Sequence, residues 1–331
     1  MKDLIISDLH IDPLRQGGTT MESRVALADY IQENLRRVVQ EEDPDRVIVV
    51  GDIFARRTVS EKALAEFWKT LQLGPEWILM RGNHDANSDK YGDICALQAI
   101  DIMTDDRVRV IFDGPESIGT YHFIPHMFNQ EQFDRALEEI PAMAKTVFIH
   151  ANWNNNFAVM ADHSLNLSLE QAKKIEANGQ TIILGHEHIP ADKLENTFIV
   201  GCLTPTMLPD IDGPKRALVF VDEKPAGQIP TWPPQLTSFQ KIQPHEIDDL
   251  VGNPQFIEVY GECSPVESAE ITKAIGKLRA KSSAFIVKNG IKIIRPEVTG
   301  PDQQEIAAFN VVDIFMDLVP EQYKEKVASC R

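Results

Sequence analysis

Five short apolar runs in this chain end alike, and that repetition limits the fold more than any other feature. Leu4-Ile5-Ile6 leads to Asp8, Val47-Ile48-Val49-Val50 to Gly51-Asp52, and Trp77-Ile78-Leu79-Met80 to Gly82-Asn83. Val147-Phe148-Ile149 leads to His150, and Ile182-Ile183-Leu184 to Gly185-His186. Each run is too short for a helix and too apolar for a half-exposed strand, so each reads as a buried strand. Helical patterns lie between them. Ser60 caps a segment whose Leu64, Phe67, Trp68 and Leu71 share a face until Gly74-Pro75 stops it. Ser168 and Gln171 make a capping box, and Gly179 ends that helix. The pattern is that of an α/β protein.

In an open α/β sheet the carboxyl ends of the strands share one edge, and ligands bind there. The groups delivered to that edge are Asp8-x-His10, Gly51-Asp52, Gly82-Asn83-His84-Asp85, His150 and Gly185-His186-Glu187-His188. Five of the nine histidines fall in this set, which scattered placement would rarely produce. Carboxylate, imidazole and amide oxygen together suit divalent ions such as Mn, Fe or Zn. A carboxylate can bridge two such ions about 3.5–4 Å apart, and the pair activates a shared water for in-line displacement at phosphorus. Singly, an Asp-x-His or a lone His is more often structural. The order, each motif after a strand, carries the reading.

Composition narrows the classes. The chain is 43% hydrophobic and 25% charged, and its net charge of −17 argues against broad, non-specific nucleic-acid binding. One strip departs from this. Lys273 to Arg295 holds seven basic residues and no acidic one, and either tracks a phosphate backbone or is a solvated helix face and strand edge. No apolar run approaches the roughly 18 residues a membrane helix needs. The N-terminus lacks the apolar core of a signal peptide, and Cys95, Cys202, Cys263 and Cys330 form no CxxC pair. The expectation is a cytoplasmic protein without membrane contact, disulfide framework or thiolate zinc site.

Four segments are expected. Residues 1–224 form the site-bearing domain, and the Pro-rich stretch PAGQIPTWPP marks a linker over 225–238. Residues 239–298 form a small α+β cap: a strand (Gln255 to Tyr260), a helix begun by Ser264, Pro265 and Glu267, and a strand (Ala284 to Lys288). Residues 299–331 comprise a polar linker and a helix over Ile306–Val319. Its broad apolar face either packs on its own domain or docks into a partner's groove.

The series DLH, GD, GNHD, H, GHEH resembles the calcineurin-like metallophosphoesterase superfamily, over Asp8 to about Val221. The resemblance implies a four-layer α/β/β/α sandwich with two divalent metals, most often Mn2+ with Mg2+, Fe2+ or Zn2+ possible. It implies one metal on Asp8, His10, Asp52 and His188, and another on Asp52, Asn83, His150 and His186, with Asp52 as bridge. His84 is then the catalytic residue, facing the scissile phosphate. Asp85 is either its orienting partner or a turn residue.

Within the superfamily, three features are similar to the SbcD-type and phage recombination endonuclease subunits of double-strand-break repair. These are the GDIF segment, Ile199-Val200-Gly201 followed by Leu203-Thr204-Pro205-Thr206, and the connector, cap and C-terminal helix. This resemblance implies DNA as substrate and an SMC-like coiled-coil ATPase as partner, in a heterotetramer built on a homodimer. It also implies that the cap contacts DNA and the terminal helix docks on the ATPase. No Walker A sequence occurs, so ATP hydrolysis would belong to that partner. Ala55 stands where these relatives usually carry His or Asp, and Arg56 or Arg57 can meet a phosphate instead. Two other functions compete: a small-molecule phosphodiesterase or pyrophosphatase, and a weakly catalytic scaffold for the ATPase. His122 and His126 read as structural or rim residues. Trp153 is either core or a base-stacking residue.

Overall fold

The computed structural model describes residues 1–15, 17–85, 94–104, 106–155, 165–211, 213–232 and 238–294. The first strands are β1 (Lys2–Ile6), β2 (Arg46–Val50), β3 (Glu76–Met80), β4 (Val108–Ile111), β5 (Glu116–Ile118) and β6 (Tyr121–Ile124). Next come β7 (Thr146–His150), β8 (Asn152–Trp153), β9 (Asn166–Leu167), β10 (Thr181–Gly185), β11 (Ala191–Leu194) and β12 (Thr197–Ile199). The last are β13 (Lys215–Val221), β14 (Lys224–Trp232), β15 (Phe239–Ile242), β16 (Phe256–Cys263) and β17 (Ile286–Ile293). The helices are α1 (Met21–Glu42), α2 (Glu61–Leu71), α3 (Ala96–Met103), α4 (Gln130–Glu138), α5 (Leu169–Ala177) and α6 (Pro265–Lys281).

Two six-stranded sheets form the body, in the orders β14-β13-β1-β2-β3-β4 and β11-β12-β10-β7-β6-β5. Strands β1 to β4, and likewise β6, β7, β10 and β12, run parallel; β13, β14, β11 and β5 are antiparallel to their neighbours. Alternation along each strand decides which layer it packs against. In the first sheet Leu4, Ile6, Val47, Val49, Trp77 and Leu79 pack against α1, α2 and α3, while Ile5, Ile48, Val50, Ile78 and Met80 point the other way. There they meet Tyr121, Phe123, Phe148 and Ile183 of the second sheet. The second sheet's other face, with Val147, Ile149, Ile182 and Leu184, packs against α4 and α5. The result is a four-layer α/β/β/α sandwich, as the resemblance implied.

The expected helix signals hold. Ser60 caps α2, and Ser168 with Gln171 and Ser264 with Glu267 form the capping boxes of α5 and α6. One expectation is corrected. Residues 225–232 of the expected linker are not a connector but β14, paired antiparallel with β13 from Val221↔Lys224 to Lys215↔Trp232. Proline removes a ladder donor but is tolerated in an edge strand, which β14 is.

In the cap, β15, β16 and β17 form a parallel sheet with α6 as the crossover between β16 and β17. It has its own small core, including Ile257, Val259, Ile275 and Val287. Phe256, Phe285 and Ile286, however, belong to the large core of the body. Phe256 lies 5.7 Å from Tyr30 of α1 and 5.3 Å from Trp232, ring centre to ring centre. The segment 299–331, with its expected helix over Ile306–Val319, lies outside the described residues.

Candidate metal centre

The strand ends of both sheets deliver their polar residues to one place. Among the described residues, Asp8, His10 and His188 converge, as do Asp52, His150 and His186. His10 Nε2 and His188 Nε2 are 2.9 Å apart. Asn83 Oδ1 lies 3.0 Å from both His150 Nε2 and His186 Nδ1. Asp52 stands between the two groups, with Oδ2 3.7 Å from His10 Nε2 and Oδ1 3.4 Å from His150 Nε2. All seven residues expected to hold metal are therefore brought together, one Asp52 oxygen facing each group.

Local backbone geometry makes this convergence possible. Asp8, His10, Asp52 and His186 have φ of +51°, +45°, +50° and +85°. This left-handed region costs an ordinary L-residue on the order of 1 kcal/mol, and Asp, Asn and His adopt it most readily among non-glycines. The surrounding turns hold it. Asp8 N donates to Gly51 O (3.1 Å), His10 N to Asp52 O (3.0 Å) and Ile11 N to Ile53 O (2.9 Å). Gly82 serves close approach rather than a special turn angle: a Cβ there would fall 2.1 Å from Asp52 Oδ1.

Asp85 belongs to this lacing. It is buried, and its carboxylate accepts from Ile53 N (3.1 Å), Phe54 N (2.9 Å) and Gly82 N (2.9 Å). It therefore ties its own turn and the Asp52 turn together and does not orient His84. Burial, with Asp52 nearby, pushes its carboxyl up to about 7. His84 is oriented elsewhere: its Nδ1 is 2.8 Å from Ala55 O, its backbone N donates to Asp52 Oδ1 (2.9 Å), and its ring stands edge-on to His10 at 4.8 Å. Ala55 thus contributes through its carbonyl. His84 also lies in a group with His10 and Asp52.

Sequence reasoning missed a support behind His188. Asp210 Oδ1 is 2.8 Å from His188 Nδ1, while Oδ2 accepts from Thr206 N (2.9 Å), Thr206 Oγ1 (3.1 Å) and Met207 N (3.0 Å). Lys215, a buried lysine, donates from Nζ to His188 O at 3.2 Å. A carboxylate on the far ring nitrogen fixes the tautomer and raises the basicity of the near one. Asp210 follows a loop after β12, and no spacing to His188 announced it. His150 is fixed likewise, its Nδ1 2.9 Å from Val50 O.

The charges fit a cation. Burial alone would depress His150 and His188, yet Asp52 for the first and Asp210 with Asp8 for the second lift them to about 9. Asp8 is raised by burial, whereas Asp52, though equally buried, is held well below the carboxylate range by His150. His10, which burial dominates, falls to about 3. The centre's buried negative charge thus draws protons onto two imidazoles whose other nitrogens are already committed. Divalent cations would meet the same donors and supply the same positive charge. The donor set fits two such ions, which would be held by Asp8, His10, Asp52 and His188 and by Asp52, Asn83, His150 and His186. When bound, such ions lower the pKa of water and offset charge at a phosphoryl group.

Other candidates fall outside the centre. His122 Nδ1 is 2.8 Å from Ser117 Oγ. The His126 ring packs 6.4 Å from that of His150, and burial lowers its pKa to about 3. Trp153 is partly buried against the core under α4 and α5. Cys95, Cys202 and Cys263 are buried free thiols. No described helix is long and apolar enough to cross a membrane.

Fold and site together define a phosphoesterase-type sandwich with carboxylate and imidazole groups that could hold metal at its strand ends. The family model for calcineurin-like phosphoesterases matches residues 1–190, more than half of the chain, and the chain belongs to that family. No curated protein matches it. Among solved structures it is similar to the nuclease MPE of Pseudomonas putida (16% identity, TM-score 0.32, 69% of this chain and 86% of that one). It is also similar to YfcE, a phosphoesterase from E. coli (11% identity, TM-score 0.31, 69% of this chain and 98% of that one).

Proposed function

We propose that this chain is a divalent-metal-dependent DNA nuclease, hydrolysing phosphodiester bonds at the dinuclear centre and working with an SMC-like ATPase in DNA recombination or repair. The observation that carries the hydrolytic part is Asp52, whose two oxygens face two separate donor groups. Mn2+ is the metal proposed, and His84 the residue that stabilises or protonates at the scissile phosphate. The DNA part is supported by the GDIF and IVG-LTPT resemblances and by the cap. In the cap, Lys273, Lys277 and Lys281 lie exposed at four-residue intervals along α6. The net charge of −17 favours a second reading, a small-molecule phosphodiesterase.

Linear double-stranded DNA and cyclic nucleotides, each incubated with Mn2+, decide between the two. Cleavage of cyclic nucleotides with DNA untouched, even beside an ATPase, overturns the nuclease reading. His84→Ala is expected to lower turnover by about 10²–10⁴-fold with metal still bound, as for a lost acid–base group. Asp52→Ala is expected to lose metal. Metal content is read by elemental analysis, and an empty centre in His84→Ala would reassign His84 as a ligand. The ATPase partnership is tested by deleting residues 303–331, which should end co-elution with the ATPase and spare hydrolysis of a small phosphodiester.

A further inference from the structure

Two guanidinium groups share one buried carboxylate beside the metal centre. Asp12, buried and at φ +62°, accepts from Ser60 N at 2.9 Å, from Arg56 Nη2 at 3.2 Å and from Arg24 Nη2. Arg24 also donates from Nε to Pro13 O (2.8 Å), and its side chain is 17% exposed. It neutralises Asp12 from within. The Arg56 side chain is 43% exposed, so the trio leaves one positive charge over, on the solvent side.

Backbone contacts place that charge next to the reacting groups. Ala55 N donates to Ile11 O at 3.0 Å, and Ala55 O holds His84 Nδ1 at 2.8 Å. Arg56 is the following residue, and Asp12 lies two residues beyond His10. A half-exposed guanidinium, already oriented by a carboxylate, offers planar donors suited to phosphate oxygens at reduced entropic cost.

We propose that Arg56, aimed by Asp12, binds a phosphate adjacent to the scissile one, so that the centre prefers chains of successive phosphodiesters over an isolated diester. This rests on the nuclease reading above and names the contact that would select its substrate class. Arg24, more enclosed, holds Asp12 in place when Arg56 turns to substrate.

The test compares wild type, Arg56→Ala and Arg56→Lys on a short double-stranded DNA and on bis(p-nitrophenyl) phosphate, whose phosphorus has no neighbour. In Arg56→Ala the ratio of kcat/KM for DNA to that for the small diester should fall about tenfold, mainly through KM, as one charge-assisted contact is lost. Arg56→Lys should restore part of it. Fluorescence anisotropy of labelled DNA in EDTA gives a second readout that needs no turnover. There Arg56→Ala should weaken binding about tenfold and reduce the salt slope by about one. An unchanged ratio with unchanged DNA affinity and salt slope overturns the proposal. Failure of the nuclease reading looks different: wild type hydrolyses the small diester and leaves DNA intact, and the anisotropy comparison still decides the role of Arg56.

Discussion

Asn83, His84 and Asp85 are adjacent in the chain and do three different things. Asn83 joins the donor set, His84 hangs from the Ala55 carbonyl, and Asp85 stitches two turns together. The donors were legible because each follows an apolar run; what Asp85 and Asp210 touch was not, because their partners are mainly backbone amides and a ring fixed by distant turns. Asp210→Asn keeps the shape and removes the charge behind His188, so metal affinity should fall about 10–100-fold, measured by competition with a chelator. The imidazoles raised to about 9 set a pH dependence. Their protons stabilise the metal-free fold fully below the ordinary histidine value, and that contribution is lost as pH rises through about 9. Metal must displace those protons, so loading at neutral pH should release protons to solution and tighten as pH rises toward 9. Titration in weak buffer with a pH indicator checks this; uptake without proton release would contradict the assignment.

At the scale of elements, the turns after β1, β2 and β3 form one laced unit. Asp8 N and His10 N donate into the Asp52 turn, and Asp85 reaches the same turn from the other side. Gly82→Ala would place a methyl 2.1 Å from Asp52 Oδ1 and 2.2 Å from its backbone nitrogen, where backbone cannot move freely. We expect a stability loss of about 1–3 kcal/mol, typical of overpacking, with metal affinity falling alongside, read by thermal melts with and without metal. Helix starts were legible in Ser60, Ser168 and Ser264 because capping is local chemistry. The strand β14 was not legible. Its prolines gave a local signal for a connector, and only pairing with β13 overrides it.

For the molecule as a whole, the boundary between body and cap is chemical as well as topological. The cap carries its own small core, yet Phe256 packs among Tyr30, Trp232 and Phe285. Sequence patterns placed the cap's strands and helix but could not show that Phe256 and Phe285 belong to the neighbouring core. Phe256→Ala should therefore cost about 3–5 kcal/mol and lower the stability of body and cap together. Calorimetry should show one transition for both, whereas two separated transitions would mean that the cap folds alone. The β14 edge has a further consequence. Pro225 and Pro230 take two of its nine residues and offer no N–H. A strand from another copy laid along it would find gaps in the ladder, so the sheet ends here instead of templating growth into a fibre. Restoring donors with Pro225→Val and Pro230→Val should leave the centre intact while making the protein self-associate as concentration rises, visible by sedimentation.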